Sequence, residues 1–163
     1  MNKLKYYAKE IALLSLFIFL FANIISLYKS SDLNKQQLRN INIELLDGSF
    51  NSLDETKPIL VHFWAIWCPT CKLEASNIQE LSQDYQVITI AVKSGSNYEI
   101  QTYLDEHDLT YKVHNDIDGL LSSKFKVKAF PTTFIYNKDR ELVFTEVGYT
   151  STWGLKLRMW WTK

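Results

Sequence analysis

The segment Cys68-Pro-Thr-Cys71 holds the only two cysteines of the chain and constrains its fold more than any other feature. It follows the apolar run 59–64, and an uninterrupted apolar run after a proline predicts a strand that is covered on both faces. Pro69 suits the first position of a helix, where its missing N–H costs nothing. We therefore expect a buried strand to deliver a Cys-x-x-Cys pair to the start of a helix, which is the geometry of a redox dithiol.

The composition is compatible with one globular domain and an additional segment. Apolar residues make up 47% of the 163 residues and aromatic residues 14%, which is enough to build a packed core. The 18 basic side chains balance 18 acidic ones, so the overall charge gives no support to a nucleic-acid partner. With only two cysteines there is no second pair to cross-link the fold, and stability has to come from the core.

Residues 1–28 have a different character from the rest of the chain. Three lysines precede residues 11–28, a run of 18 residues without charge. As a helix this run would span about 27 Å, close to the roughly 30 Å hydrocarbon core of a bilayer. We predict a retained signal anchor, that is, an N-terminal transmembrane helix. A cleaved signal peptide is the alternative, but its apolar region is usually about 7–15 residues long and ends in a small-x-small site.

The lysines before the apolar run favour a cytoplasmic N-terminus. Residues 29–40 are polar and are predicted to form a tether, and residues 41–163 are predicted to form the exported domain. The expected location is the bacterial inner membrane, with a single pass and the catalytic domain in the periplasm, where disulfides form and persist.

Hydrophobic periodicity and turn residues predict the elements of the exported domain. The predicted strands are a short hairpin within 41–53, followed by 59–63, 86–93, 111–114, 132–136 and 142–147. The predicted helices run from the dithiol to about 85, from a capping box at Ser96 and Glu99 to about 107, over 117–125, and from Thr150 or Ser151 to 160. In the helix over 117–125, the predicted inward residues are Leu120, Leu121 and Phe125. This order predicts an α/β fold with a central mixed β-sheet flanked by helices on both faces. Trp160 and Trp161 are predicted to pack within it, and the alternative for them is a contact with a membrane interface.

Thiol–disulfide exchange requires a thiolate, and a cysteine at a helix N-terminus is stabilised in that form by unpaired N–H groups and the helix dipole. Cys68 has this position, so it is the predicted nucleophile. Cys71 lies one turn later and is placed to resolve the mixed disulfide. Trp67 is predicted to shield the pair and to offer an apolar surface to a partner.

Three other interpretations of the cysteine pair compete with this one. A zinc site needs two more ligands, and the three histidines, His62, His107 and His114, show no metal-ligand spacing. A purely structural disulfide across so short a loop removes little chain entropy. A peroxidase-type thiol enzyme needs a Thr shortly before its nucleophile, and the residues before Trp67 offer none.

Several segments together resemble the thioredoxin superfamily: Asp47-Gly48, the run 61–74 around the dithiol, the run 130–135, and Gly148. More narrowly, the chain resembles the membrane-anchored TlpA/ResA/DsbE-like thiol–disulfide oxidoreductases. Residues 148–160 look most like the D-type protein disulfide oxidoreductases linked to suppression of copper sensitivity. The resemblance covers about residues 41–160 and implies a thioredoxin-like fold.

The resemblance also implies that Pro131 is a cis-proline beside the dithiol, although X–Pro bonds are otherwise mostly trans. It implies that Phe130, just before it, pairs its backbone with an incoming peptide. The Phe130 ring would either narrow the substrate groove or fill core space. Trp67, Phe130 and Pro131 are the predicted substrate-binding residues. Thr132 stands where cytochrome-maturation members carry a Glu, which argues against that role.

His62 and Glu74 are the predicted supporting residues. Many thioredoxins have a buried Asp at the place of His62, and an imidazole with a pKa near its usual ~6.5 would suit proton exchange there. The alternative is a core histidine with satisfied hydrogen bonds. Glu74 matches an acidic residue of the ResA-like branch and would raise the pKa of Cys71 and relay its proton. The alternative is a solvated helix glutamate.

These features predict a membrane-tethered extracytoplasmic oxidoreductase that exchanges disulfides with exported protein thiols and acts as a reductant. A membrane electron-transfer partner would recycle the dithiol, and neither a cofactor beyond the redox-active disulfide nor nucleic acid is implied. One alternative is a Cu(I)- or Zn(II)-binding module that uses the same thiolates. Another is a cytochrome c maturation thioredoxin.

Overall fold

The structure, a computed structural model, describes residues 6–7, 9–17 and 43–162. Residues 9–17 are helical. Most of the predicted anchor at 11–28, and all of the predicted tether at 29–40, lie outside the described residues. Within the described part of the chain, no helix has the length and apolar character needed to cross a membrane.

Five strands and four helices make up the domain over residues 43–162. The strands are β1 (Ile59–Trp64), β2 (Gln86–Val92), β3 (Val113–Asp116), β4 (Thr132–Tyr136) and β5 (Leu142–Val147). The helices are α1 (Pro69–Asp84), α2 (Asn97–Glu106), α3 (Leu120–Lys124) and α4 (Thr152–Trp161). The strands at 59–63, 132–136 and 142–147 and the helix at the dithiol lie where the sequence predicts them.

The strands form one mixed sheet in the order β3-β2-β1-β4-β5. β1 lies at its centre, parallel to β2 and antiparallel to β4, and every residue of β1 is buried. Because β1 and β2 are parallel, their carboxyl ends meet at one edge of the sheet, and the amino end of antiparallel β4 reaches the same edge. The dithiol follows β1 and Pro131 precedes β4, so this arrangement brings them together.

Alternating side chains of β1 enter two separate apolar cores. Leu60 and Trp64 belong to the core that also contains Cys71 and other residues of α1, together with residues of α2 and α4. Phe63 belongs to the core on the other face, where Phe125 follows α3. The period of two along a strand places His62 on the α1 side. The predicted mixed sheet with helices on both faces is confirmed.

Two predicted elements are shorter than expected. The hairpin within 41–53 is a single antiparallel bridge between Glu44 and Phe50, with residues 41–42 outside the described part. The helix predicted at 117–125 begins only at Leu120. The predicted inward placement of Leu120 is wrong, because this side chain is 74% exposed, whereas Phe125 and Leu121 contact the core as predicted. The helix begins late because of the Asp116 carboxylate at the end of β3. It accepts hydrogen bonds from the backbone N–H groups of Leu121 and Ser122 at 2.9 and 2.8 Å and so fixes the first turn of the helix.

The other helix boundaries follow their capping residues. Ser96 and Glu99 form the predicted capping box of α2. Ser151 caps α4 by accepting the N–H of Gly154 at 3.3 Å. The predicted packing of Trp160 and Trp161 is wrong, because these side chains are 60% and 71% exposed.

Candidate active site

Cys68 is the N-cap of α1, and Pro69 stands at the first helical position, as the sequence predicts. The Cys68 and Cys71 sulfurs form a disulfide, and the backbone N–H of Cys71 donates a hydrogen bond to Cys68 Sγ at 3.2 Å. Sγ therefore takes the place that a side-chain oxygen usually has at a helix start. Unpaired amides and the positive end of the helix dipole would stabilise a thiolate on Cys68 after reduction.

The loop between β1 and α1 is held by the loop that follows β2. Ile66 N–H donates to Ser94 Oγ at 3.2 Å, and the Trp67 indole N–H donates to the carbonyl oxygen of Lys93 at 3.0 Å. Cys68 N–H closes a turn onto the carbonyl oxygen of Ala65 at 3.2 Å. These bonds fix the position of the dithiol relative to the sheet edge.

An aromatic pair borders the disulfide. The Trp67 and Phe130 rings meet nearly perpendicularly, with centroids 5.6 Å apart. Trp67 is 56% exposed, whereas Phe130 is half-buried and packs against both apolar cores. The core-filling alternative therefore holds for part of the Phe130 ring, and its role in a substrate groove stays a prediction.

The Phe130–Pro131 peptide bond is cis, as the resemblance implies. Pro131 is buried, and its carbonyl oxygen accepts the N–H of Gly148 at 2.8 Å. Thr132, the next residue, pairs with Phe63 near the end of β1. This register places Pro131 at the strand end that leads to the dithiol.

Glu74 lies on α1 one turn after Cys71 and is completely buried. Its Oε1 accepts the backbone N–H of Thr150 at 3.1 Å, while Oε2 is buried without a hydrogen-bond partner. Burial raises the pKa of Glu74, the Thr150 hydrogen bond partly opposes this shift, and the negative charge of Glu146 adds to it, so the pKa is about 8. The alternative of a solvated helix glutamate is therefore wrong. At pH 7 most molecules therefore carry Glu74 as a neutral carboxylic acid.

His62 is buried in the middle of β1, and its Nδ1 lies 2.9 Å from Thr133 Oγ1 on β4. Burial lowers the pKa of His62 to about 3, so the ring is neutral at physiological pH. Proton exchange near the ordinary pKa of histidine, which the sequence suggested, loses its support. The geometry matches the alternative of a hydrogen-bonded core histidine.

The register shows further polar residues in this layer that sequence reasoning missed. Thr133 pairs with His62 on one side and with Glu146 of β5 on the other. Arg158 of α4 binds Glu146, with Nε and Oε1 2.6 Å apart. His62, Thr133, Glu146 and Arg158 therefore form a row of polar side chains, which we call the polar row. It crosses the sheet from the core to a partly exposed ion pair near Glu74. No local pattern marks Thr133 or Glu146, because their placement depends on strand pairing.

The structure also bears on the alternative of a metal site. In residues 6–7, 9–17 and 43–162, His, Cys, Asp and Glu side chains do not form a group of three or more suited to a metal ion. The Nδ1 atoms of His62, His107 and His114 each contact an oxygen within the protein, at 2.9, 2.8 and 2.7 Å.

The sequence of the chain is similar to those of known proteins. The sequence model of the AhpC/TSA family matches residues 34–145. A thioredoxin-like protein of Haemophilus influenzae is 32% identical over 133 residues, which is 78% of this chain and 78% of that protein. The thiol–disulfide oxidoreductase ResA of Oceanobacillus iheyensis is 32% identical over 111 residues, or 65% of this chain and 58% of that protein.

The fold also matches solved structures. StoA from Bacillus subtilis superposes with a TM-score of 0.65 at 22% identity, covering 72% of this chain and 94% of that one. The exposed lipoprotein thioredoxin Etrx1 of Streptococcus pneumoniae superposes with a TM-score of 0.66 at 21% identity, covering 74% and 98%. At these identities the likeness shows the thioredoxin-like fold.

Proposed function

Since this chain belongs to the AhpC/TSA family and is a thiol–disulfide oxidoreductase, we propose that it acts from a membrane as a reductant of exported protein disulfides. The observation that carries the proposal is the Cys68–Cys71 disulfide at the N-terminus of α1, beside the cis peptide bond before Pro131. A helix N-terminus favours a thiolate. The exposed Trp67 ring, which contacts Phe130, offers an aromatic surface to a partner beside the disulfide.

The reductive cycle begins with the dithiol form. The Cys68 thiolate attacks one sulfur of a target disulfide, a bond forms between Cys68 and that sulfur, and the other target sulfur leaves as a thiolate that takes up a proton. The Cys71 thiolate then attacks Cys68 Sγ and releases the second target thiolate. The target gains two electrons and two protons, and Cys68 and Cys71 return to the disulfide.

Glu74 is proposed to exchange the proton of Cys71 during the second step. A pKa of about 8 lies close to the ordinary thiol value of about 8.5, so transfer between the two groups is nearly balanced in free energy. Glu74 is buried one turn from Cys71, which keeps bulk water from competing for the proton. His62 stays neutral and is proposed to position Thr133 in the polar row.

Substrate is proposed to bind where Trp67 and Phe130 meet. The two rings offer an apolar contact beside the sulfurs, and an extended peptide can pair with the backbone before Pro131, as a strand adds to a sheet edge. The contact selects no particular sequence, which suits a reductant of several exported proteins.

The membrane part of the proposal comes from the sequence. Residues 1–28 are proposed as the anchor, 29–40 as the tether and 41–163 as the thioredoxin-like domain, with the N-terminus cytoplasmic and the domain in the periplasm of a bacterium. A membrane electron-transfer partner is proposed to return two electrons to the disulfide after each cycle. The likeness of residues 148–160 to the D-type oxidoreductases supports a narrower placement within that subgroup.

Trapping of partners tests the function. Cys71→Ser leaves the Cys68 nucleophile but removes the resolving thiol, so mixed disulfides with exported proteins should accumulate in membrane fractions. Cys68→Ser is the matched control and should trap none. Equal absence of mixed disulfides in both variants, together with no reduction of a model protein disulfide by the wild type, would contradict the proposal. Equilibration of the wild-type dithiol against glutathione tests the reducing direction.

A further inference from the structure

The last helix, α4, is apolar on two opposite faces. Leu155 and Met159 on one face are fully buried in the core. On the other face are four exposed residues that we call the tryptophan stripe: Trp153, Leu157, Trp160 and Trp161, exposed by 84%, 62%, 60% and 71%. Their spacing of four, three and one residues places them along one side of a helix. An apolar surface of this kind on a soluble domain generally marks a binding site.

The charged residues of α4 point away from the stripe. Lys156 Nζ binds Glu80 and Asp84 of α1 at 2.8 and 3.3 Å, and Arg158 binds Glu146 of β5. The flanks of the helix are thus fastened to the domain, and the stripe contributes apolar and indole surface without charge. Such a surface does not select a charged partner, whereas indole rings are enriched where a membrane meets water.

The contacts between α4 and α1 also set the direction of the stripe. Thr152 Oγ1 donates to Asn77 Oδ1 at 3.0 Å near the start of α4, and one turn later Lys156 binds Glu80 and Asp84 near the end of α1. The two helices therefore run in the same direction. The end of α4 that carries Trp160 and Trp161 lies toward the end of α1 remote from the dithiol.

We propose that the tryptophan stripe lies in the interfacial region of the bilayer into which residues 11–28 insert. This inference rests on the membrane tether of the proposed function. The proposed tether has twelve residues, and a flexible chain of that length has an average span of about 20 Å, which limits the separation between a bilayer that holds the anchor and the domain. Because the anchor makes docking intramolecular, a weak interfacial contact is sufficient to populate it. Docking by the remote end of α4 leaves the dithiol edge free for protein partners.

Fluorescence of the full chain in vesicles tests the proposal, since all five tryptophans lie at residue 64 or beyond and the anchor has none. The protein is reconstituted into phosphatidylcholine–phosphatidylglycerol vesicles with or without lipid brominated near the headgroup, and flotation of the vesicles reports the tether. Emission should fall by roughly half in brominated vesicles, because three of the five tryptophans belong to the stripe and interfacial rings contact the bromines.

Two variants separate docking from tethering. Trp153→Glu with Leu157→Glu places two charges in the stripe and keeps Trp160 and Trp161 as reporters; it should float like the wild type and lose most of the quenching. Tyr98→Glu with Leu120→Glu is the matched control, because these side chains are 80% and 74% exposed on other helices. The control should float and be quenched like the wild type.

Each contrary result has a distinct meaning. A wild-type protein that floats but shows equal emission in both kinds of vesicle overturns the docking and leaves the tether intact. A wild-type protein that does not float overturns the tether and the docking with it. Emission that shifts to the blue with protein density, without quenching by bromine, assigns the stripe to a second copy of the chain and also overturns the bilayer contact.

Discussion

The backbone N–H of Thr150 donates a hydrogen bond to Oε1 of the fully buried Glu74 at 3.1 Å, joining two residues 76 positions apart. Thr150 lies just before the Ser151 cap of α4, so the start of the last helix contacts the acid that follows Cys71 by one turn. Only one carboxylate oxygen is satisfied in this way, and Oε2 lies buried without a partner. The arrangement favours the protonated acid at neutral pH, and the remaining carboxylate fraction is the form that can take the proton of Cys71.

Glu74→Gln is expected to slow the resolution of mixed disulfides by about 100-fold at pH 7, the lower end of general acid–base effects. Glutamine keeps the shape and an acceptor for Thr150 but exchanges no proton. The wild-type rate should also show a pH-dependent step near pH 8 that the variant lacks. Stopped-flow measurement of exchange with a model disulfide between pH 5.5 and 9.5 gives both quantities. An unchanged profile would assign proton transfer to another group.

Glu146→Gln is expected to move that same step to lower pH without abolishing it. The charge of Glu146 helps to raise the pKa of Glu74, and its removal also leaves the Arg158 cation without its partner. Both changes stabilise the Glu74 carboxylate. The same stopped-flow series checks the direction, and a step that moves upward or stays in place would show that Glu146 does not act on Glu74.

Glu74 is expected to contribute stability that is lost as the pH rises from about 4.5 to 8. Below pH 6.5 His62 has the opposite effect, so the net fall in stability is expected between about pH 6.5 and 8. Glu74 has a pKa near 4.5 in the unfolded chain and about 8 in the folded one, so the folded state binds the extra proton in this window. The loss is at most about 5 kcal/mol at 1.36 kcal/mol per pKa unit. Urea unfolding at several pH values measures it, and in Glu74→Gln this slope should disappear. Parallel slopes in the two proteins would contradict the assignment.

His62→Gln is expected to remove the contribution that destabilises the fold in acid, leaving the opposite contribution of Glu74. The folded-state pKa of His62 is about 3 against 6.5 in the unfolded chain, so at this site the unfolded state binds more protons between these values. The contribution of His62 to stability therefore falls as the pH drops below 6.5. Glutamine stays neutral and can still hydrogen-bond Thr133. Urea unfolding between pH 4 and 7 compares the slopes. A variant as acid-sensitive as the wild type would mean that His62 does not titrate on unfolding.

Cys68→Ala is expected to be about 1 kcal/mol less stable than Cys68→Ser, the usual difference between these residues at a helix N-cap. Both changes remove the disulfide, but only serine retains an acceptor for the Cys71 N–H that Cys68 Sγ now accepts. Urea unfolding of the two variants under reducing conditions gives the difference. Equal stability would show that the contact with Sγ contributes nothing to the helix.

Local sequence determined the elements around the dithiol. The apolar run 59–64, Pro69 at the first helical position, and the Ser96–Glu99 capping box each act through neighbouring residues, so a strand and two helix starts could be read directly from the chain. The cis-proline came from resemblance, because the intrinsic preference of an X–Pro bond points the other way.

Tertiary structure alone decided the environments of Glu74, His62 and the tryptophans of α4. From the sequence, a glutamate within a helix is expected to be solvated, and only the contact with Thr150 shows that Glu74 is covered. His62 contacts Thr133 only because of the antiparallel register of β1 and β4. Trp160 and Trp161 read as core residues, yet Leu155 and Met159 occupy the buried face of their helix. Burial and partner choice depend on residues distant in sequence, whereas helix starts and strand runs depend on neighbours, and this difference separates what the sequence determined from what only the fold decided.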